Sequence, residues 1–309
     1  MSIFSPTVEA IQNAARVIRE GGMVVMPTET VYGLACNALD AEAVQRVFEV
    51  KGRPAENPLI VHLARWEQLG TVAASWPPIA EKLAHQYWPG PLTLVLPKRP
   101  ELPNETTGGL DTVAVRIPQH PVAREIIERA GVPIAAPSAN VFMGLSPTNV
   151  RDLDPEILVE VDIVIDGGDC EVGLESTVLD LSDATPRILR PGAISRADIQ
   201  ARVGQPLGMT PPSGVRAPGM YRRHYAPSTP LVLAQEVKDD EAGLVFGEPE
   251  NPRQIKMPRE AKAYAVLMYG ALRRLDMMKV ERIVVQEPPA LPEWEAVLDR
   301  LRKASASMA

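Results

Sequence analysis

The first two-thirds of this 309-residue chain contains short groups of hydroxyl, amide and cationic side chains, each beside an apolar run. These groups lie at residues 28–30, 51–53, 57–62, 116, 138–140, 175–177 and 190–192. If strand ends converge at one edge of a sheet, groups that are far apart in the sequence meet in one pocket. Cations suit phosphate and carboxylate groups, while hydroxyls and amides orient a small ligand. The set therefore predicts a site for a phosphate-bearing nucleotide beside a small zwitterion.

Apolar periodicity indicates which elements position these groups. Helices are predicted at 7–20, 40–50, 77–88 and 121–130, and strands at 23–26, 58–63, 92–96, 112–117, 133–136, 162–165, 177–181 and 187–189. Because helices alternate with strands, the class is α/β. We assign residues 1–203 to a catalytic domain.

A change of composition follows this region. Residues 204–230 are dense in Pro and Gly, which excludes a long helix or strand and makes a fairly stiff linker. The linker also carries Arg216, Arg222, Arg223, His224 and Tyr225, too many functional groups for a bare spacer. Strands at 231–234, 243–246 and 282–286 and helices at 261–278 and 292–303 then predict a small α/β domain over residues 231–309.

Composition limits the function. A net charge of −7 and a pI near 5.3 argue against a surface that binds nucleic acid tightly, but they allow a small cationic pocket. Two cysteines provide neither a disulfide framework nor a zinc quartet, which favours a reducing cytoplasm. The sequence has no apolar stretch of membrane-spanning length, and its first residues do not resemble a secretory signal.

Taken singly, each motif also has an ordinary structural interpretation. Thr28–Thr30 is typical of a turn, and Lys51 at a helix end compensates the helix dipole. His62 in an apolar strand is more often a satisfied core histidine than a catalyst. Ser138 is common in turns and caps. Arg116, also in an apolar strand, needs a partner, which is either a carboxylate of the protein or an anionic substrate.

The order and spacing of these motifs resemble the YrdC family of L-threonylcarbamoyladenylate synthases. The resemblance rests on M-P-T-E-T-V-Y-G-L at 26–34, K-G-R at 51–53, S-A-N at 138–140, E-S-T at 175–177 and R-P-G at 190–192. P-G-M at 218–220 and H-Y-A-P at 224–227 resemble the linker of two-domain, Sua-type members. The resemblance implies a YrdC-like twisted open α/β sheet followed by a small Rossmann-like α/β domain.

It also implies an activity. Such enzymes make threonylcarbamoyl-AMP and pyrophosphate from L-threonine, bicarbonate or CO2, and ATP, and partner proteins then transfer the threonylcarbamoyl group to an adenosine of tRNA. We expect magnesium to arrive with ATP and not to be caged by the protein, because the four histidines are widely spaced and no H-E-x-x-H or C-x-x-C occurs.

By the same resemblance, site residues divide into three groups. Catalytic roles fall to Lys51 and Arg53. Threonine binding falls to Thr30, His62, His120, Ser138 and Ser176. ATP binding falls to Arg53, Asn57, Arg116, Asn140, Thr148, Arg190, His224 and Tyr225, with the last two on a linker that acts as a lid.

Two rival functions remain at this point. One is a carbamoyl-adenylate-forming enzyme acting on carbamoyl phosphate, although the acylphosphatase and zinc-finger modules of such proteins are lacking here. The other is an RNA-binding module of the same fold, which the acidic pI and the scarcity of aromatic residues argue against.

Overall fold

The computed structural model of the chain describes residues 2–208 and 216–307. Residues 209–215, in the middle of the predicted linker, lie outside the described residues, as do 1, 308 and 309. The described residues form a mixed α/β structure with one large and one small sheet, which confirms the predicted class. The described parts of 204–230 contain no helix or strand, and the domain bounds 1–203, 204–230 and 231–309 stay predictions.

The large sheet belongs to the first two-thirds of the chain. Its strands are β1 (Ile3–Phe4), β2 (Val24–Met26), β3 (Gly33–Asn37), β4 (Ile60–His62), β5 (Leu92–Pro97), β6 (Thr112–Arg116), β7 (Ile134–Ala135), β8 (Ile163–Ile165), β9 (Thr177–Asp180) and β10 (Arg187–Arg190). The helices of this part are α1 (Val8–Arg19), α2 (Ala41–Lys51), α3 (Pro78–Tyr87), α4 (Asn104–Thr107), α5 (Pro121–Ala130), α6 (Pro155–Glu160) and α7 (Arg196–Val203).

Strand directions in this sheet are mixed. The order is β1-β8-β2-β3-β7-β4-β6-β5-β9-β10, and β4 pairs antiparallel with β7 but parallel with β6. Through β3 and β7, β4 therefore runs opposite to β2. The expectation that all functional groups meet at one edge is wrong, because strands that run in opposite directions end at opposite edges.

The two faces of the sheet are covered differently. Apolar side chains of α2, α3, α6 and α7 pack on one face in the main core. On the other face, α1 and α5 cover the half formed by β8, β2, β3 and β7. The remaining half presents Ile60, Val95, Ala114 and Val178, which are covered by the linker residue Ala217. A piece of linker thus takes the place where a helix would be expected.

The small sheet is formed by the last part of the chain. Its strands are β11 (Leu231–Ala234), β12 (Gly243–Val245), β13 (Gln254–Lys256) and β14 (Ile283–Gln286), in the parallel order β11-β14-β12-β13. Helices α8 (Ala261–Met277) and α9 (Glu295–Ala304) pack against it. Within the described residues we find no helix with the length and apolar character of a membrane span.

The two parts of the chain share one apolar cluster. Val31, Leu145 and Leu174 of the first part pack with Leu272 and Leu301 of the second. Gly173 shows how close the approach is, since an added Cβ there would lie 2.4 Å from the Cα of Val266 in α8. We infer that the absence of a side chain at Gly173 allows α8 to dock.

Replacing Gly173 with alanine should therefore destabilise the protein. Gly168 is the matched control, since it lies in the same loop with a similar φ of +81° but has no atom within 4 Å of an added Cβ. Both alanine variants strain a left-handed backbone, but only Gly173→Ala adds a clash, which should cost about 1–3 kcal/mol more. Urea unfolding of both variants measures this difference, and equal losses would argue against a tight docking contact.

Candidate active site

A small pocket lies on the half of the sheet face that α1 and α5 leave uncovered. The strand register shows this position. On one side, His62 pairs with Ile134, which packs with α5; on the other side, it pairs with Arg116, in the uncovered half. Nine of the predicted site residues line this pocket: Thr30, Arg53, His62, Arg116, Ser138, Ser176, Arg190, His224 and Tyr225. Its volume is only 50 Å³, far below the roughly 300–1,000 Å³ of ligand pockets. The arrangement is therefore a closed one.

A larger cavity does not compete for this role. A groove of 950 Å³ lies between the two parts of the chain, beside Ile194, Trp294 and Ala265. None of the predicted site residues lines it, although Pro191 and Gly192 of the R-P-G motif do, so volume alone is a poor guide to the site here.

Arg116 and the Thr28–Thr30 turn form one wall. The guanidinium of Arg116 makes an ion pair with Glu29 at 2.7 Å and donates to the hydroxyl of Thr30 at 2.8 Å. Burial acts to raise the pKa of Glu29, but the charge of Arg116, together with polar contacts from Arg116 and the backbone, outweighs it and lowers that pKa. The sequence left open whether Arg116 pairs with a carboxylate of the protein or with an anionic substrate. In the structure it pairs with the carboxylate of Glu29, and it also fixes the side chain of Thr30.

His62 faces the pocket from the end of β4. It is buried, and its Nδ1 lies 3.1 Å from the carbonyl oxygen of Ile60. Burial, followed by the charge of Arg116, lowers the pKa of His62 to about 3. The imidazole is therefore neutral at physiological pH, which suits hydrogen bonding and not charge pairing.

Arg53 and Arg190 carry charge that the protein does not neutralise locally. Arg53 donates to the carbonyls of Asn57 and Pro58 at 3.3 and 2.9 Å, and Arg190 donates to the carbonyl and hydroxyl of Ser176, both at 3.1 Å. In the part of the chain that is described, neither guanidinium forms an ion pair with a carboxylate. Burial lowers the pKa of Arg53 to about 10, so it remains charged at neutral pH.

Lys51 occupies a different place from the one expected. Its ammonium group donates to the carbonyl oxygens of Ser138, at 2.6 Å, and Asn140, and it does not line the pocket. Burial, with the nearby charge of Arg53, lowers the pKa of Lys51 well below its usual value. Lys51 therefore holds the backbone of S-A-N and does not face the pocket beside Arg53 in this arrangement.

Four further predicted residues lie off the pocket wall. His120 caps α5 by accepting from the backbone of Val122 at 3.3 Å, and Thr148 donates to Asp152 at 3.2 Å. Asn140 holds its own loop by donating to the carbonyls of Val141 and Gly144. Asn57 is fully buried, and both polar atoms of its amide lack a partner among the described residues.

The linker closes the pocket. The carbonyl of Pro218 accepts from Arg190 at 3.3 Å, and the ring of His224 lies 4.1 Å from that of Tyr225 and 5.9 Å from that of Phe142. Burial lowers the pKa of His224 to about 3, so this ring is also neutral. Both predicted linker residues thus face the same small space as Arg53.

Glu175 is the pocket residue that the sequence interpretation left without a role. It accepts hydrogen bonds from Ser146 at 2.5 Å, Tyr269 at 3.0 Å and Arg300 at 2.8 Å. Burial acts to raise its pKa, but the charges of Arg300 and Arg190 and the bond from Ser146 lower it to about 2. Glu175 is therefore ionised at physiological pH and is not suited to accept a proton during catalysis. A carboxylate directly before a Ser-Thr pair was the only signal available.

Comparison with known proteins extends beyond the motifs. A family model named for Sua5, YciO and YrdC and described as telomere recombination matches residues 16–192. A second, described as threonylcarbamoyl-AMP synthase, C-terminal domain, matches residues 194–306. Together they cover nearly the whole chain.

Individual relatives match over the same length. A threonylcarbamoyl-AMP synthase of Pyrococcus abyssi is 41% identical over 96% of this chain and 94% of its own. One from Bacillus subtilis is 37% identical over 96% of this chain and 92% of its own. The solved structure of P. abyssi Sua5 complexed with L-threonine superposes with a TM-score of 0.86 at 40% identity, covering 96% of this chain and 94% of that one.

The pKa of Glu175 leads to a prediction about acid stability. Its folded value is about 2 against an ordinary 4.5, so its ionised form stabilises the fold fully above pH 4.5, and that contribution disappears as pH falls toward 2. The free-energy difference between wild type and Glu175→Gln should shrink by roughly 2 kcal/mol between pH 5 and pH 2.5. Urea unfolding at several pH values measures it. The exposed control Glu156→Gln should show no such change, and parallel profiles for all three proteins would contradict the assignment.

Proposed function

The chain belongs to the Sua5/YrdC family of threonylcarbamoyl-AMP synthases, and we infer that it makes threonylcarbamoyl-AMP and pyrophosphate from L-threonine, bicarbonate or CO2, and ATP. The product serves the threonylcarbamoylation of adenosine in tRNA. Two matches support this activity over that of the rival carbamoyl-adenylate enzymes: the C-terminal domain model and relatives matched over 96% of the chain.

The observation that carries the assignment within the site is the pair of buried guanidinium groups, Arg53 and Arg190. Their relative exposures are 7% and 3%. Because a buried charge without a counter-charge is costly, the pair favours an anionic ligand. We propose that ATP phosphates supply that charge, with Asn57 as a further partner, since its buried amide has free donor and acceptor atoms. Asn140, Thr148, His224 and Tyr225 complete the proposed nucleotide side.

The threonine side is proposed at the opposite wall. Thr30 and Ser138 offer hydroxyls, and His62 offers a neutral imidazole, as a small amino acid requires for orientation. Arg116 stays positive beside Glu29 and faces the same space, so it suits the carboxylate of threonine as well as a phosphate. His120 lies at the cap of α5, outside the pocket wall, and its proposed role is the weakest supported by geometry.

The proposed chemistry has two steps. The amine of threonine attacks CO2 or bicarbonate and forms an N–C bond, releasing a proton when CO2 is used and a water molecule when bicarbonate is used. An oxygen of the resulting N-carboxylate then attacks the α-phosphorus of ATP, and the P–O bond to pyrophosphate breaks. Arg53 and Arg190 would neutralise charge as it develops on the phosphates, while Lys51 holds the S-A-N backbone.

We propose that Mg²⁺ enters on the phosphates of ATP. The two carboxylates nearest the pocket, Glu29 and Glu175, are already engaged by Arg116 and Arg300, so the available side chains suit a metal that the nucleotide brings. Within the described ranges, moreover, no group of three or more His, Cys, Asp or Glu side chains is arranged to hold a metal ion. When bound, Mg²⁺ neutralises part of the charge on the leaving pyrophosphate.

The linker is proposed as a lid. A pocket volume of 50 Å³ cannot hold ATP, so something must move, and the described linker residues that cover the pocket form neither helix nor strand. We propose further that the enzyme works in the cytoplasm and passes its product to a tRNA-modifying partner. Both cysteines are free and buried, which suits a reducing compartment.

Pyrophosphate release from ATP should depend on both L-threonine and bicarbonate. Serine should be a poorer substrate, since a pocket shaped for the threonine methyl gains roughly 1–3 kcal/mol from it. A coupled pyrophosphate assay with each substrate omitted in turn measures this dependence. Equal release without threonine would refute the assignment.

Replacing Arg53 with alanine should reduce activity far more than replacing Arg151, which is exposed at a short helical turn. Loss of a charge-assisted phosphate contact should lower the rate roughly 30- to 1,000-fold, equivalent to about 2–4 kcal/mol. Turnover is compared for both variants after circular dichroism has established that they are folded. Near-normal turnover of a folded Arg53→Ala protein would remove Arg53 from the phosphate site.

A further inference from the structure

One arginine of the last helix contacts three segments that surround the pocket. Arg300, in α9, has no exposed surface. Its Nε donates to Glu175 at 2.8 Å, a terminal nitrogen donates to the carbonyl of Pro191 at 3.0 Å, and its guanidinium carbon lies 4.8 Å from the ring centre of Tyr225. Glu175, Pro191 and Tyr225 belong to the start of β9, the end of β10 and the linker.

Tyr269 of α8 strengthens the same contact. Its hydroxyl lies 3.0 and 3.2 Å from the two carboxylate oxygens of Glu175. From the first part of the chain, only the hydroxyl of Ser146 reaches this carboxylate within the described residues. Two of the three side chains that fix Glu175 therefore come from the small C-terminal part.

The residues next to these anchors are the ones that face the pocket. Ser176 follows Glu175, and Arg190 precedes Pro191. Arg190 donates hydrogen bonds to Ser176, and the hydroxyl of Ser176 also lies 2.7 Å from that of Thr93. Because Arg300 binds on the far side of both strand ends, a shift of its guanidinium moves the pair together. A displacement of about 1 Å in such a pair is enough to weaken catalysis strongly.

We propose that Arg300 and Tyr269 of the C-terminal domain are positioning residues for the synthase reaction. Acting through Glu175 and Pro191, they fix the guanidinium of Arg190 at the geometry that ATP requires, together with the Ser176 side chain to which it is bonded. This inference rests on the proposed function and assigns a role to the second domain. The alternative is a purely structural role, in which the buried Arg300–Glu175 ion pair only stabilises the docking of the two domains.

A charge-free replacement separates these two roles. In Glu175→Gln with Arg300→Met both members of the ion pair lose their charge together, so neither is left buried without the other, and stability should largely return even though the hydrogen bond to Pro191 is lost. Tyr269→Phe keeps the ring and removes only its hydroxyl. Glu295→Gln is the matched control, since Glu295 also lies on α9 and pairs across the interface with Arg196 at 2.8 Å, away from the pocket.

Steady-state pyrophosphate release at varied ATP, thermal unfolding and equilibrium ATP binding without threonine are measured for each protein. We expect the double variant to be folded but to show a kcat/KM for ATP lower by roughly 10- to 100-fold, mainly through KM. Tyr269→Phe should change in the same direction by a smaller factor, and Glu295→Gln should match wild type.

Restored stability with restored kcat/KM in the double variant would overturn the proposal, because docking alone would then account for the pair. If the double variant does not fold, unchanged kinetics in a folded Tyr269→Phe protein overturns it instead. If the proposed function itself is wrong, the result differs, because the wild-type protein then shows no threonine-dependent release of pyrophosphate. Weakened ATP binding by Tyr269→Phe would then still support positioning of a nucleotide site.

Discussion

The architecture depends on one constraint, which is that both apolar faces of the ten-stranded sheet must be shielded from water. Helices meet this requirement over most of the sheet, but on one face of β4, β6, β5 and β9 the linker residues Ala217 and Met220 pack on Ile60 and Val178 instead. A helix in that position would have buried the polar side chains beneath it permanently. Residues 216–220, which lie there instead, form neither helix nor strand, and this suits the proposed role of the linker as a lid over His62 and Arg116.

The linker buries several arginine side chains of the pocket, and this burial affects how their charges are compensated. Buried cations require compensation, and the protein supplies it selectively. Arg116 has Glu29 and Arg300 has Glu175, whereas Arg53 and Arg190 have only carbonyl and hydroxyl acceptors. The compensated arginines keep walls in place, and the uncompensated ones leave positive charge where the ligand must lie. The acidic net charge of −7 does not weaken this local field, because burial shields it from solvent screening.

The sequence predicted most helices and strands, because their apolar periodicity is clear, as in α1 and α5. Among the elements it missed are the short β1, β13, α4 and α6, together with β3, whose residues G-L-A-C-N lack the β-branched pattern, and α7, although Ser195 and Asp198 provide a capping signal. The family resemblance selected nine residues that line one pocket, but the place of that pocket on the sheet face could not be derived, since strand direction depends on pairings between distant residues. Glu175 was missed for a similar reason, because two of its partners lie 94 and 125 residues further along the chain.

The contacts of the linker with the two docked domains indicate which part of the proposed lid would open. The backbone N–H of His224 donates to the carbonyl of Lys303 in α9, and that of Ala226 donates to Met143. Tyr225, between them, is fixed by the guanidinium of Arg300. These anchors belong to elements that the docked domains hold still, so displacement of 224–226 would require the domains to separate. Residues 216–220 contact the first part of the chain instead. They rest on the small apolar patch around Ile60, on a bond from Arg190 to Pro218, and on ion pairs of Arg216 with Asp180 and Asp183 at 3.4 and 3.5 Å. If the linker acts as the proposed lid, opening for ATP therefore starts before His224, and His224 and Tyr225 form the fixed end of that lid.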